Sequence, residues 1–516
     1  MKKVLSILLA VLMVASMFSV MAFAEGEAEE VKVMKKYAGG TSANSYSYRE
    51  GRPNKAWKVE YLNPDGRGKA IIEGINKDVA SGEYAAYYIY IQGGSTTAIT
   101  ISDIIGTEKT PVYIEITEGL MTAPLFASDS LDTKAPAITL EDCEYVTLKG
   151  IAAKSSIYNG IEVRNCKNVT LENIEFKNVG YTDYSFPSTA EDGTETYPDM
   201  DTTNLLAKGS ALLIGEGNTD IAVIGCKFEN CRAGIVVDST KLEVEEEPAP
   251  AAEGEEGTEE PTAPVATSGV SITGCSFTNI NEAAVILNGA DDVTVSGGKA
   301  TNVGTLTEAQ NYDGKAVAVV KVVNSKDAVV EKMFSSYNVS FVNFENSTGK
   351  VRFNVSDSDG AGKIGEGVLV YNNTFVNASA LEIATAKNNI FAMIIGEKVK
   401  VADGEANCYY WTSKGDKNSI KKNPKFANAF DGMTEGQDPI DNYRLSTESA
   451  CLGAGVKVED DMGTTDFYGN EIGSSINIGA DQGAGAEATT EIVSDFVDFF
   501  NYIFAVIKNF FDNLFA

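Results

Sequence analysis

The sequence predicts an all-β chain wound into a parallel β-helix, a solenoid in which each coil is a few short strands joined by turns. Three observations carry that reading. ITLEDCEYVTLKGI, starting at Ile138, returns as IEVRNCKNVTLENI from Ile161, with a period of about 23 residues, so that Ile138, Leu140, Cys143, Val146 and Leu148 align with Ile161, Val163, Cys166, Val169 and Leu171. Apolar residues alternate over short runs within each copy, which is the spacing of strands and not of helices. The chain holds 48 glycines and only 13 prolines, which suits many turns between short strands. Leucine-rich repeats share the period, but they need a helical segment and a fixed Leu/Asn spacing that these units lack.

Taken in order, residues 1–24 come first. Lys2 and Lys3 precede an uncharged stretch from Val4 to Val20, and Ala22-Phe23-Ala24 offers small residues for cleavage. This reads as a secretory signal peptide, so the mature chain is expected outside the cytoplasm, secreted or held at the cell surface. Residues 25–69 form a lead-in and cap, and residues 70–482 the solenoid. Further coils are signalled by DIAVIGCKF from Asp220, GVSITGCSF from Gly269, DDVTVSGGKA from Asp291, KVRFNVS from Lys350 and ALEIATAKNNIF from Ala380. The Pro/Ala/Glu run of residues 242–268 interrupts them and reads as a disordered, solvated insertion. Residues 483–490 are a linker. In residues 491–516, Ser494, Asp495, Asp498, Asn501, Lys508 and Asp512 recur at helical spacing beside a wide apolar face. That amphipathic α-helix either folds back over the last coil or docks on an envelope surface or protein partner.

Asn173, Asn354, Asn372, Asn373, Asn388 and Asn389 fall between the second and third strands of their coils, where Asn tolerates left-handed backbone and can bond its stacked counterpart. Cys143 and Cys166 are equivalent on adjacent coils, as are Cys226 and Cys275. A coil spacing of ~4.8 Å allows disulfides between them, whereas the small apolar character of inward positions favours unbridged thiol stacks.

With VRFNVSDSDG followed by VLVYNNTFVNA, and later NPKF, NYRLSTESACLGAGV, DFYGN and NIGADQ, the chain resembles the secreted right-handed parallel β-helix proteins of the pectate-lyase-like superfamily. The resemblance spans Ala70 to Gln482. It implies right-handed winding, an extracellular glycan as partner and a cleft over the first strand of each coil. Catalytic members remove the proton alpha to a uronate carboxylate with a Lys or Arg base and calcium, so calcium is the cofactor it implies.

The residue inventory narrows the chemistry. The absence of histidine removes Ser-His-Asp and Cys-His catalysis and His-containing zinc sites. It also removes the His that a polygalacturonase-like site carries between its paired aspartates. A net charge of −31 excludes nucleic acid as a partner. GAGKIG, Gly360 to Gly365, spells GxGxxG but has no strand before it or helix after it; it reads as a flexible loop between coils, and no nucleotide is expected.

Alternation puts two outward columns on the first strand of the coils. One reads Thr139, Glu162, Leu213, Val236, Ile286, Lys321; its neighbour reads Glu141, Arg164, Gly215, Asp238, Asn288, Val323. Lys321, Arg164 and Asp238 are the candidate catalytic residues, the lysine or arginine as base. Asn288 and the tyrosines Tyr181, Tyr184 and Tyr197 are candidate sugar contacts, and Asp199 with Asp201 and Asp357 with Asp359 are candidate calcium ligands. Surface charge pairs and ordinary acidic turns are the competing reading of the same residues. Two functions follow: binding of an extracellular polysaccharide with calcium-assisted β-elimination of uronates, or non-catalytic surface display and adhesion. An inverting glycosidase would instead need two carboxylates ~6.5–9.5 Å apart.

Overall fold

A computed structural model describes residues 34–37, 57–58, 62, 67–92, 99–117, 136–150, 159–180, 188–189, 195–196, 209–239, 266–304, 317–394, 398–412, 415–427, 439–459 and 462–487. The leader (1–24), residues 240–265 of the insertion region and the tail (491–516) lie outside the described residues. The described strands form a 22-stranded and a nine-stranded sheet, parallel throughout, with one small antiparallel pair, Ser188–Thr189 with Glu195–Thr196, standing apart. The parallel β-helix expected from the repeat is the architecture observed.

One coil shows how the sequence makes it. Ile161–Arg164, Thr170–Glu172 and Glu175–Lys177 are its three strands. Asn165, Asn168 and Asn173 turn the chain between them at φ of 46°, 53° and 53°, a backbone region that Asn enters more cheaply than other residues with a side chain. Ile161, Val163, Leu171 and Phe176 point inward and are at most 1% exposed. Ile161 pairs with Ile138 on one side and Leu212 on the other, and Leu171 with Leu148 and Val223. Like stacks on like, as the Phe176, Phe228 and Phe277 rings show at centroid separations of 4.8 Å. That separation is the strand spacing itself, so every coil contributes one layer of core. All seven cysteines are buried and unbridged, and Cys143 sits against Cys166 and Cys226 against Cys275 as stacked thiols.

The position after the second turn is one interior column that changes character along the solenoid. It runs Ile174, Cys226, Cys275, Gly298, Met333, then Asn354, Asn373, Asn389 and Asn407, all buried. The four asparagines form a ladder in which each Nδ2 donates to the next Oδ1, at 2.8, 2.9 and 3.1 Å. Each Oδ1 also accepts the backbone N–H of the preceding rung, and Asn407 ends the ladder by donating to Asp416 at 2.6 Å. The coils shorten at the same time, from 23 residues between Cys143 and Cys166 to 16 between Asn373 and Asn389.

Three expectations are corrected. Residues 67–81 are an α-helix (α1, Arg67–Ser81), not the start of the solenoid. Its Ile71, Ile75 and Val79 lie on one face at helical spacing and join the core over the first coil, the cap that a repeat protein needs. The solenoid's last parallel strand is Cys408–Tyr410, short of residue 482. Beyond it, residues 439–459 and 462–487 have turns and bridges in place of coils, and they strap back over earlier ones: Asn372 Nδ2 donates to the Asn477 carbonyl and Asn388 Nδ2 to that of Val456, both at 2.7 Å. GAGKIG is not a loop: all but its first residue belongs to the strand Ala361–Tyr371, which pairs with Val342–Glu345 through its first half and with Gly349–Arg352 through its second. Its first glycine, just before the strand, is there for close approach, since a Cβ on Gly360 would sit 1.7 Å from the Val339 carbonyl oxygen.

Candidate functional site

The two outward columns stand in the register that alternation gives them. Thr139 pairs with Glu162, Glu162 with Leu213, Leu213 with Val236, Val236 with Ile286 and Ile286 with Lys321. Their surroundings differ from those of an open cleft. Leu213, Val236 and Ile286 are at most 1% exposed and form an apolar cluster of their own with Ala233 and Ala283, outside the coil interior. Asp238 and Lys321 are also buried, and Asn288 Nδ2 donates to Asp238 Oδ1 at 3.1 Å. Arg164 is exposed and bonds Glu162 Oε1 at 2.6 Å, two coils away from Asp238 with Gly215 on the coil between them. The structure thus brings Asp238 to Asn288 but does not gather Arg164, Asp238 and Lys321 on one open surface.

Asp357 and Asp359 do not fit a calcium ion. Asp359 is buried inside the coil and accepts from Ser335 Oγ and Ser356 Oγ, both at 2.6 Å, and from the backbone N and Nδ2 of Asn338, both at 3.0 Å. Burial pushes its carboxyl up to about 6, partly offset by those donors. Asp357 accepts from Tyr443 Oη at 2.5 Å and from Asn377 and Ser358, and burial raises it too. Their lone pairs are taken by protein donors, which are the wrong partners for sharing with a cation. Tyr181, Tyr184, Tyr197, Asp199 and Asp201 lie outside the described residues. Among the described residues no group of three or more Cys, Asp or Glu side chains converges as metal ligands would.

The open part of the first column begins where the sequence reading stopped. Lys321 pairs with Asn343, Asn343 with Lys363, Lys363 with Glu382 and Glu382 with Lys400. Of these, Asn343, Lys363, Glu382 and Lys400 line a cleft of about 370 Å³, with Lys398 beside Lys400 and Ser340 at its foot. Ser340 is 3% exposed, and its Oγ has no hydrogen-bond partner. Lys363, Glu382, Lys398 and Lys400 are exposed, and among the described residues their side chains make neither ion pair nor hydrogen bond. Elsewhere on the same sheet lysines are spoken for: Lys387 and Lys417 pair with Glu405, and Lys350 with Glu459 at 2.8 Å. Three unpaired ammonium groups, one carboxylate and an unsatisfied buried hydroxyl make a local excess of positive charge in a chain of net charge −31.

A second polar cluster is structural. Arg352 bonds Glu331 at 2.7 Å and donates to Tyr371 Oη at 3.0 Å, while Tyr371 donates to Glu459 of the strap. It fastens the strap to the sheet.

Lys363 escaped the sequence reading because it stands among glycines, which look like a loop. Its signal was the alternation of Lys363, Ile364 and, one coil on, Glu382, Ile383.

No family model matches the chain, and no curated protein matches it in sequence. Solved structures resemble it more distantly. A pectate lyase, Pel9A, is 14% identical over 77% of this chain and 87% of its own, with a TM-score of 0.45. An alginate lyase from a Paenibacillus species is 12% identical over 68% and 96%, at 0.34. The surface protein and adhesin PfbA of Streptococcus pneumoniae is 11% identical over 71% and 96%, at 0.35. The likeness is one of fold. At these identities and TM-scores it says nothing of what this chain binds.

Proposed function

We propose that this chain is an extracellular β-helix protein that binds an acidic polysaccharide along the outward column of its first sheet, in the cleft of Lys363, Lys398 and Lys400. The unpaired state of these lysines carries the reading. An acidic chain repels polyanions at long range, so a strip of uncompensated ammonium groups is where one can be held. The signal-like residues 1–24 supply the extracellular location. Among the described residues no helix is long and apolar enough to cross a membrane.

The test is titration of the mature protein with acidic polysaccharides at low salt. Lys363→Ala combined with Lys400→Ala should weaken binding by about tenfold or more while leaving the unfolding free energy within about 0.5 kcal/mol of wild type. Unchanged affinity would discard the cleft. Cleavage is a separate step: a lysine amine in the cleft is placed to take the proton alpha to a bound carboxylate. Following the ultraviolet absorbance of unsaturated uronate ends, with and without added calcium, decides it. A rise lost in the lysine variants establishes a lyase, and binding with no rise on any substrate favours display or adhesion. Burial of Asp238 and Lys321 supports the second outcome over a lyase built on Lys321, Arg164 and Asp238.

A further inference from the structure

The column that carries the cleft has a rhythm. In register it reads Lys321, Asn343, Lys363, Glu382, Lys400; Lys321 is buried, and the open part from Asn343 on carries an ammonium group on every second coil, Lys363 and Lys400. The coils between carry an amide and a carboxylate. A further outward column, two residues earlier on each strand, repeats the contrast at the open end, with Ala361 and Ala380 on the coils of Lys363 and Glu382, and Lys398 on the coil of Lys400. The coil of Glu382 therefore presents no cation to the cleft, whereas the coils on either side present one and two. At ~4.8 Å per coil, Lys363 and Lys400 stand ~9.6 Å apart along the solenoid.

Alternating charges on neighbouring strands often exist only to pair with each other. Here they do not. Among the described residues neither lysine closes an ion pair with Glu382, although all three occupy one column, so the pattern is left facing outward for something else to read.

We infer that the cleft selects a polyanion whose acid groups recur on every second unit, a heteropolysaccharide in which an acidic sugar alternates with an uncharged one rich in hydroxyl or amide groups. A polymer laid along the column with an acid at every unit would set one carboxylate against Glu382. An alternating polymer puts its acids opposite Lys363 and Lys400 and a hydrogen-bonding sugar opposite Glu382, which accepts from hydroxyl or amide donors. Asn343 can do the same on the coil before Lys363. This rests on the cleft being the glycan site, and it adds which glycan.

The experiment compares two probes of matched chain length at one low ionic strength: polygalacturonate, acidic at every unit, and hyaluronan, in which glucuronate alternates with N-acetylglucosamine. Wild-type protein should bind the alternating polymer about tenfold more tightly. Glu382→Lys, at an exposed position with no side-chain partner to lose, should raise affinity for polygalacturonate by about tenfold and abolish the preference. Glu382→Gln should fall between. Equal affinities for the two polymers, both lost in the Lys363→Ala, Lys400→Ala protein, would overturn the alternation while leaving the cleft in place. A preference that survives Glu382→Lys would overturn it as well. No binding of either polymer would remove the cleft reading on which it rests.

Discussion

The interior column after the second turn is built in two ways in one molecule. In the earlier coils it is Ile174, Cys226 and Cys275, side chains held by packing and by weak S–H contacts such as Cys226 Sγ to the Leu171 carbonyl at 3.6 Å. In the later coils it is Asn354, Asn373, Asn389 and Asn407, which take up each other and the backbone N–H of the rung before. The amides appear where the coils are shortest. A tight turn leaves a backbone donor facing the interior, and a stacked side-chain oxygen satisfies it where a thiol cannot do so well. The lesson is that one position of a solenoid can be apolar or polar, provided that the polar version is continuous.

Breaking the continuity should give the largest effect. Asn373→Ala leaves the backbone N and Nδ2 of Asn354 buried without their acceptor, and should cost about 3–5 kcal/mol in denaturant unfolding. Cys226→Ala, in the same column, removes packing and a weak S–H contact and should cost about 1–2 kcal/mol. Equal costs would mean that the ladder acts as filler.

The polar half should also titrate where the apolar half does not. Asp359, raised to about 6 by burial, is favoured in its protonated form by the folded state. Its contribution to stability is therefore full below about pH 4 and is lost as the pH rises through 6. Relative to Asp359→Asn, whose amide cannot ionise, wild type should lose about 2–3 kcal/mol between about pH 4 and pH 7. Parallel unfolding profiles for the two proteins across that range would refute this.

Much of the fold was legible because it repeats. The offset of Cys143 to Cys166 gave the coil, and alternation gave both outward columns in their true register, including Lys321 beside Ile286. What alternation cannot give is depth: Leu213, Val236 and Ile286 point out of the coil and are still buried, and so is Asp238. Helix α1 was missed because it occurs once, before the repeat has begun. The strand through GAGKIG was missed because glycine in a solenoid can mean close stacking as readily as a turn. Lys363 was lost with it, and the cleft with Lys363.

The strap has a mechanical consequence. A solenoid pulled from its end ordinarily peels, one coil at a time, each layer giving way before the next is loaded. Here residues beyond the last coil are tied back to earlier ones: Lys332 bonds Thr465 at 2.9 Å, Arg352 reaches Glu459, and Ala480 N donates to Thr374 Oγ1 at 3.1 Å. Tension applied at the C-terminal side is thus spread over several layers in shear before any one of them can open.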